Sequence, residues 1–390
     1  MVIKKTINPM YVFLGVWFID LILLTGDISY LYDGLHEEFA VEIIFVLGCF
    51  VLGYFLVALS HRIKIQGNTI QPAIDIHNLR RITYKLIMLW VVLTIVEIIA
   101  SGGLPFYWYL IGNGKTYFDF GINGLHGFCN AVYFIILCNI FMVKKCIRSK
   151  KLTYGLLILF LWPVLVVSRQ VFLVAVMNLF FLFCVTTRVS IKIVIKSLII
   201  VFLLIIGFGY LGDFRTGHDK FIELAQPKYD WLTELPSGFL WGLIYFTSPI
   251  ANLQIVFENA VPTNEPYLTL GKVLPSPLRK VVFESAESAD VMSDNLITAA
   301  FNVSSYMADF YIDGGFVYLI LFTFVLGGIS RYIYMKMISR CSYFFLIAYS
   351  LLCQMHFFSV FYNHYMYLPV MFTIIIAWVV NRRVSNYGVK

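Results

Sequence analysis

Three arginines stand where the chain is otherwise apolar or rich in turn-forming residues, and their chemistry suits a phosphate group. Arg169 lies near the centre of the apolar run 152–187, Arg215 lies in LGDFRTGHDK, and Arg279 lies in LPSPLRKVVF. An arginine side chain donates paired hydrogen bonds through a planar fork and keeps its charge at physiological pH. The three arginines are therefore the first candidates for holding an anionic substrate.

A reaction on such a substrate also needs a group that accepts a proton. Asp313, Glu97 and His218 are the candidates, in that order, although the two carboxylates have the alternative of being buried partners of the arginines. The acidic stretch FESAESADVMSDN could hold a cation and is also typical of a solvated loop. The sequence contains no P-loop, HExxH, GxSxG, DxD or paired-cysteine motif, so it predicts neither a metal centre nor a cofactor.

The elements that carry these residues are membrane helices by composition. Of the 390 residues, 60% are hydrophobic and 13% are charged, and the mean hydropathy is +0.82. Soluble domains carry about 25% charged residues. The net charge of +7 comes from basic residues that are scattered through loops, which argues against nucleic acid as a partner. Composition thus predicts an all-α polytopic membrane protein.

The apolar run around Arg169 is too long for one membrane crossing. Its 36 residues would extend for roughly 54 Å as one helix, whereas a bilayer core is about 30 Å thick and takes about 20 residues. A tight turn at Ser168-Arg169-Gln170 would divide the run into two spans, with Pro163 loosening the approach. Arg169 is therefore predicted at a membrane face, since a bare charge at mid-depth is costly.

Hydropathy predicts ten spans, and the distribution of charge orients them. The loops on the side of the N-terminus hold 21 of the 29 lysines and arginines and only one of the 22 acidic residues, Asp75. Basic loops stay in the cytoplasm, so both termini are predicted to be cytoplasmic. The predicted spans are 10–24, 39–59, 83–100, 125–143, 152–168, 170–187, 193–211, 310–329, 342–360 and 364–380.

This topology divides the chain into three parts. Residues 1–211 form a seven-span N-terminal bundle, 212–309 a large outer loop, and 310–390 a three-span C-terminal part. The segment 238–257 is apolar enough to be an eleventh span, but its insertion would carry the basic residues after it to the outside. We therefore interpret it as an interfacial or re-entrant helix.

All three arginines fall on the outer face in this topology, which the positive-inside bias disfavours. A lone interfacial arginine is also typical of a headgroup anchor, but two of the three lie at helix junctions, where side chains are held in place. The ionisable residues inside spans favour an outer-leaflet site over a proton-driven pump, because all of them lie in outer halves. They are Asp20, Glu42, Glu97, His126, Asp313 and His356.

Three segments together resemble the Wzy-type oligosaccharide repeat-unit polymerases of O-antigen and capsule synthesis. They are the SRQ turn, the stretch PYLTLGKVLPSPLR of the outer loop, and the segment TAAFNVSSYMADFYIDGGFVYLI that leads into a late span. The last segment is similar to the family's "Asn…Thr/Ser-x-x…Tyr-x-Asp-x-Gly-x-x-Gly" entry into a helix. It departs from the family in reading IDGG where many members have Asp-Phe-Gly.

The resemblance implies a metal-independent glycosyltransferase with a GT-C-like fold, without a cofactor, in the bacterial inner (cytoplasmic) membrane. It would move a growing glycan from undecaprenyl pyrophosphate onto a sugar hydroxyl of a new lipid-linked unit at the periplasmic face. The expected partners are the undecaprenyl-pyrophosphate-linked oligosaccharide and membrane lipid. The resemblance also allows a chain-length regulator as a protein partner. The three arginines match arginines of the family and form the predicted catalytic set with Asp313. The predicted substrate-binding residues are Lys280, His218, Glu97, Asn302 and Tyr306.

Other functions are compatible with parts of this pattern. An O-antigen ligase is the nearest alternative, since it shares the fold and donor and differs in the acceptor. A flippase or other transporter of lipid-linked oligosaccharides would need polar groups at mid-depth and no long outer loop. A scaffold that regulates chain length would tolerate the loss of any single arginine. The charge pattern and the long loop favour the polymerase.

The topology can be tested with reporter fusions at residues 225, 270 and 300. We expect all three to report the outer compartment, because the charge pattern keeps 212–309 outside. A fusion in the basic loop 144–151 is the cytoplasmic control. A cytoplasmic signal at 270 and 300 alone would mean that 238–257 crosses the membrane.

Overall fold

The computed structural model describes residues 7–60, 74–147, 150–187, 217–283, 287–339 and 341–385, with a few separate positions between 195 and 213. Within these ranges the regular secondary structure is helical, and the chain forms two isolated β-bridges and no strand. In chain order the helices are α1 (Pro9–Leu24), α2 (Glu37–Ser60), α3 (Ile76–Ser101), α4 (Pro105–Leu110), α5 (Leu125–Cys146), α6 (Lys150–Leu165), α7 (Arg169–Thr186), α8 (His218–Ala225), α9 (Asp230–Glu234), α10 (Ser237–Asn259), α11 (Leu270–Val273), α12 (Ser276–Val282), α13 (Glu287–Asp294), α14 (Tyr306–Ser339), α15 (Tyr343–Phe358) and α16 (Leu368–Val384), with 3₁₀ turns at Tyr117–Asp119 and His364–Met366.

The chain is an all-helical, multi-pass membrane protein. In the part of the chain described, six helical segments are long and apolar enough to cross a membrane: α2, α3 with α4, α5, α7, α10 and α14. α1 and α15 are apolar but have only 16 residues each. Nine of the ten predicted spans overlap a described helix, whereas the span 193–211 falls mostly outside the described residues.

The last helix starts later than hydropathy predicts. The predicted span begins at residue 364, but residues 364–366 form a 3₁₀ turn and α16 begins at Leu368. Pro369 in the first turn of α16 explains the start, because proline is favoured where a helix leaves backbone N–H groups unbonded.

At one end of the bundle lie the first described residues and the helix ends that adjoin the basic loops, and we call it the basic end. Here the Asp75 backbone N–H donates to the carbonyl of Val384 at 2.8 Å. The Tyr54 hydroxyl donates to the Asn8 side chain at 2.7 Å, and it accepts from Arg331 at 3.3 Å. These bonds tie the start of α3 to the end of α16 and the N-terminus to α2 and α14.

The opposite end, which we call the loop end, is covered by the segments that connect the other helix termini. The Ser29 hydroxyl donates to the carbonyl of Ala225 at 2.6 Å. Helix α10 belongs to this end along much of its length. Its Asn252 amide donates to the carbonyls of Phe301 and Val303, and its Gln254 accepts from the His36 backbone N–H at 3.2 Å. These bonds fix α10 to the connecting segments of the loop end.

Helices α2 and α14 form the most extensive helix pair in the described bundle. They approach so closely at two glycines that a side chain would not fit. A Cβ at Gly53 would overlap the backbone carbonyl of Phe324, and one at Gly327 would overlap that of Phe50. Small residues at a membrane helix crossing let the backbones come into van der Waals contact. Such contacts stabilise the helix pair, because lipid provides no hydrophobic driving force for helix association.

Helix α14 contains 34 residues and is broken near its start. Gly314 and Gly315 have non-helical backbone angles, and Gly315 has a φ of 71°, which favours glycine. The IDGG sequence is therefore a helix break. It separates the mostly buried segment 306–313 at the loop end from the long remainder of the helix. The predicted boundary at 309/310 falls inside the first of these segments.

Uncharged polar pairs join helices in the interior. The Tyr343 hydroxyl donates to Asn139 at 2.6 Å, and the Ser350 hydroxyl donates to the Asn178 side chain at 2.6 Å. Such neutral hydrogen bonds hold membrane helices together without burying a charge.

The glycine crossing predicts a clear stability difference within one helix. Gly53→Ala should destabilise the protein by about 1–3 kcal/mol, the usual cost of overpacking a well-packed site. Gly48→Ala on the same helix is the matched control. Gly48 has open space around it, and alanine is better than glycine in a helix by roughly 0.5–1 kcal/mol. Thermal unfolding in detergent measures both, and equal midpoints would contradict the close crossing.

Candidate functional site

Arg169 lies at a sharp reversal between α6 and α7. The turn occupies residues 166–168, slightly earlier than predicted, because Ser168 is the N-cap of α7 and accepts from the Val171 backbone N–H at 3.4 Å. Val167 has a φ of 54°, an unusual value for a β-branched residue. Arg169 is thus the first residue of α7 and is half-buried at the loop end.

The electrostatic setting of Arg169 is unusual. The N-terminus of a helix carries partial positive charge, so a cation there is unfavourable unless an anion lies nearby. Among the described residues, no side chain pairs with Arg169, and the five ion pairs found there use only lysine or histidine as the cation. The guanidinium and the helix N-terminus together form a place suited to an anion.

Arg279 is held in the short helix α12 and is likewise without an acidic partner in the described ranges. Its guanidinium lies 5.8 Å from the centre of the Tyr267 ring. Its Nε is buried and finds no hydrogen-bond partner among the described residues. A buried donor without an acceptor is costly, and an anionic ligand would supply that acceptor.

A buried carboxylate, an imidazole and a phenol form a continuous chain near Arg169. Glu97 of α3 is wholly buried, and its Oε1 lies 3.2 Å from Nδ1 of His126 on α5. Nε2 of His126 lies 3.0 Å from the Tyr117 hydroxyl and 3.1 Å from the Asn130 side-chain nitrogen. The loop between α3 and α5 closes the site, since the Ile122 backbone N–H donates to Glu97 at 3.4 Å.

The contacts of His126 suit one tautomer. With the ring proton on Nδ1, facing Glu97, Nε2 has a single lone pair that can accept from the Tyr117 hydroxyl or from the Asn130 side-chain nitrogen. Burial raises the pKa of Tyr117, although polar contacts with Ser168 and Asn130 oppose the rise. The phenol is therefore neutral at physiological pH and lies beside the cap of the Arg169 helix.

The same loop meets the segment that carries Arg279. Gly124 approaches Pro275 so closely that a Cβ on it would lie 3.2 Å from the proline Cβ. On the other side, the Tyr362 and Tyr367 rings lie 6.3 Å apart, and Tyr367 is within electrostatic range of Tyr117. The structure thus joins the surroundings of Arg169 and Arg279 through the loop 117–126, as one region of the loop end.

A buried ion pair anchors the segment before α12 to the bundle. Nζ of Lys272 lies 2.7 Å from Oδ2 of Asp309 and 5.0 Å from the centre of the Tyr362 ring. The Asn363 amide donates to the same carboxylate oxygen at 3.0 Å. Burial alone would lower the pKa of Lys272, but the attraction of Asp309 and Tyr362 outweighs it and leaves that pKa raised. Lys272 is therefore charged at neutral pH.

Asp313 anchors the next stretch of the same segment. Its Oδ1 accepts from the Leu268 backbone N–H at 3.1 Å, and its Oδ2 accepts from the backbone and hydroxyl of Thr269, both at 2.7 Å. Both oxygens are occupied and the residue is buried. This geometry makes Asp313 a clamp on 268–269 and leaves its carboxylate little capacity to accept a substrate proton.

The remaining predicted residues lie in different surroundings. Lys280 and Asn302 are exposed. Tyr306 is fully buried in an aromatic cluster and bonds Thr323, which gives it a place in the core and no accessible surface for a ligand. His218 is half-exposed, with Nδ1 3.1 Å from the Ser237 hydroxyl and 3.7 Å from Asp213. Arg215 lies outside the described residues.

Reasoning from the sequence missed Tyr117 and the pairing of Lys272 with Asp309. It also did not connect Glu97 with His126, although a signal for that pair exists. Both residues were predicted in the outer halves of consecutive spans, at similar depth, on either side of the loop 101–124. The Lys272 pair has no comparable signal, because both of its residues lie in the predicted loop 212–309, where hydropathy gives no common depth.

The described residues contain no group of three histidine, cysteine, aspartate or glutamate side chains arranged to hold a metal ion. This includes α13, which covers residues 287–294 of the acidic stretch, whereas residues 284–286 lie outside the described ranges. No family model, curated protein or solved structure matches the chain. Function must therefore be inferred from the chemistry of this site.

The Lys272–Asp309 pair predicts a large loss of stability on removing one partner. Lys272→Met leaves a buried carboxylate unpaired, which should cost about 3–5 kcal/mol, and adding Asp309→Leu should restore much of the loss. Lys228→Met is the matched control. It breaks the Lys228–Asp27 pair, whose Asp27 is exposed, and such pairs contribute about 0–1 kcal/mol. Thermal unfolding in detergent that gave both lysine variants the same midpoint would contradict the anchoring role.

Proposed function

We propose that this protein is a membrane glycosyltransferase that polymerises oligosaccharide repeat units carried on undecaprenyl pyrophosphate. The observation that carries the proposal is that Arg169 and Arg279, which like the other described arginines form no ion pair, are both partly buried in one region of the loop end, Arg169 at the N-terminus of α7 and Arg279 with an unpartnered Nε. Two arginines without a described acidic partner in one region suit a pyrophosphate on a lipid. The resemblance of the SRQ turn and the PYLTLGKVLPSPLR stretch to Wzy-type polymerases points to the same donor.

The proposed orientation puts the basic end in the cytoplasm and the loop end outside. In support, Lys144, Lys145, Arg382 and Arg383 lie at the ends of helices that meet at the basic end. Ten spans, cytoplasmic termini and a bacterial inner membrane location belong to this proposal. Helix α10 has the length of a span, but its contacts with His36, Phe301 and Val303 favour a position at the outer face.

In the proposed reaction, the growing glycan leaves its lipid pyrophosphate and joins a sugar hydroxyl of a new lipid-linked unit. Negative charge builds on the pyrophosphate as the glycosidic bond breaks. Positioned cations stabilise that charge, and such stabilisation usually contributes more to the rate than any other single effect. Arg169, with the N-terminus of α7 behind it, and Arg279, with its unpartnered Nε, are the groups proposed for this task. Arg215 is the third arginine of the proposed set.

Replacing each arginine by lysine tests the pyrophosphate contact. Arg169→Lys, Arg215→Lys and Arg279→Lys keep the charge but lose the bidentate fork. Removing one such donor should lower turnover by roughly 10²–10³, which would collapse a polysaccharide ladder into single-unit glycans. The assay is a glycan ladder from a null strain that is complemented with each variant, with membrane levels checked by blot.

Arg382→Lys is the matched control, because this arginine is exposed at the basic end and stacks on Trp378. It should give a full-length ladder. A full-length ladder from Arg169→Lys at normal expression would indicate that Arg169 only anchors the protein to lipid headgroups. Loss of every glycan-bearing lipid A product, single units included, would indicate that the protein is a ligase and not a polymerase.

The proposed reaction needs no divalent metal, since guanidinium groups take the place of the ion at the leaving group. Purified protein with lipid-linked repeat units should therefore polymerise them in excess chelator at an unchanged rate. Activity that disappears with chelator and returns with magnesium or manganese would contradict this mechanism. It would indicate a metal site in the acidic stretch 284–294.

A further inference from the structure

We propose that Tyr117, His126 and Glu97 form a proton relay that activates the acceptor hydroxyl. In this relay Tyr117 is the catalytic residue that meets the sugar, His126 takes the proton from Tyr117, and Glu97 holds and stabilises His126. The relay rests on the proposed glycosyl transfer and adds the component that the arginines cannot supply, which is a base.

The geometry gives the relay a direction. Glu97 is wholly buried, the His126 side chain is 19% exposed, and Tyr117 is half-buried next to the Ser168 cap of α7. The chain of polar contacts therefore runs from the interior to the turn that presents Arg169. A carboxylate with a purely structural role would not require a series of polar contacts that leads to the proposed anion site at Arg169.

The protonation of the chain suits a relay. With the ring proton on Nδ1, toward Glu97 at 3.2 Å, the lone pair of Nε2 lies within reach of the Tyr117 hydroxyl at 3.0 Å and of the Asn130 side-chain nitrogen at 3.1 Å, and the relay uses the tautomer and rotamer in which Tyr117 donates to it. Tyr117 can pass its proton to His126 and accept another on the same oxygen. Because burial raises the pKa of Tyr117, a free tyrosinate is disfavoured and the two transfers are concerted.

The proposed transfer conserves every proton and electron pair. The acceptor hydroxyl oxygen attacks the anomeric carbon, and its proton moves to Tyr117 while the Tyr117 proton moves to Nε2 of His126. The bond from the anomeric carbon to the pyrophosphate oxygen breaks, and its electron pair leaves with the pyrophosphate. His126 becomes an imidazolium that the Glu97 carboxylate stabilises, and it releases its proton to solvent or to the departing pyrophosphate.

The other candidate bases fit less well. Both oxygens of Asp313 are occupied by Leu268 and Thr269. His218 also faces a carboxylate, but at 3.7 Å, and it is half-exposed on α8. Neither has a described contact with the turn of Arg169, whereas Tyr117 lies beside Ser168.

The test uses purified full-length protein with lipid-linked repeat units, and it compares Tyr117→Phe, His126→Gln and Glu97→Gln with the wild type. Tyr117→Phe removes a single oxygen, and Glu97→Gln keeps the acceptor while it removes the charge. Each should lower kcat by roughly 10²–10³-fold or more, in the range for acid–base catalysis, with KM changed less than about twofold. Binding of undecaprenyl pyrophosphate alone, measured by thermophoresis, should be unchanged.

The matched control is His36→Gln, because His36 also pairs with a glutamate, 2.7 Å from Glu258, but this pair lies at the surface. It should retain wild-type kcat. Wild-type kcat in Tyr117→Phe would overturn the relay, and so would a parallel loss of kcat and of undecaprenyl pyrophosphate binding, which would indicate a structural role. Failure of the wild type to form polymer would instead refute the proposed function and the relay with it.

Discussion

The absence of water around most of the chain is the constraint on which the rest of this structure depends. In hydrocarbon every polar group needs a partner inside the protein, so the helices join through neutral pairs such as Tyr343 with Asn139. Charge is confined to the two ends of the bundle. The basic end holds lysines and arginines at helix termini, while the loop end holds acids, histidines and two arginines that the described carboxylates do not neutralise.

The loop end is held together by anchors that differ in kind from the groups proposed for chemistry. Lys272 with Asp309, and Asp313 with Leu268 and Thr269, are satisfied contacts that fix the segment before α12 against α14. Arg279, one helix later, has a buried nitrogen without a partner among the described residues. A cation without a partner on a rigidly held segment is the arrangement expected of a preorganised anion site. The segment is already ordered before the ligand binds, so binding does not have to order it.

Arg169 and the relay residues show how neighbouring elements combine to build one site. Ser168 caps α7, presents Arg169 as its first residue, and lies beside Tyr117. Tyr117 in turn reaches His126 and the buried Glu97. The proposed leaving-group contact and the proposed proton acceptor therefore share a single turn. The substitutions proposed at these positions probe different steps of one reaction, because one alters the contact with the pyrophosphate and the other alters a proton path.

The sequence by itself determined the all-helical membrane class, the position of nine helices and the reversal next to Arg169, because hydrophobic length and turn residues are local properties. It also marked Arg279, and it placed Glu97 and His126 at similar depth in consecutive predicted spans. Tertiary structure alone decided which groups pair. In the folded chain, Asp313 accepts from the backbone of 268–269, Tyr306 packs in the core, and Lys272 forms an ion pair with Asp309. Such pairings depend on the distance between side chains far apart in the chain, which helix packing sets and no local pattern encodes.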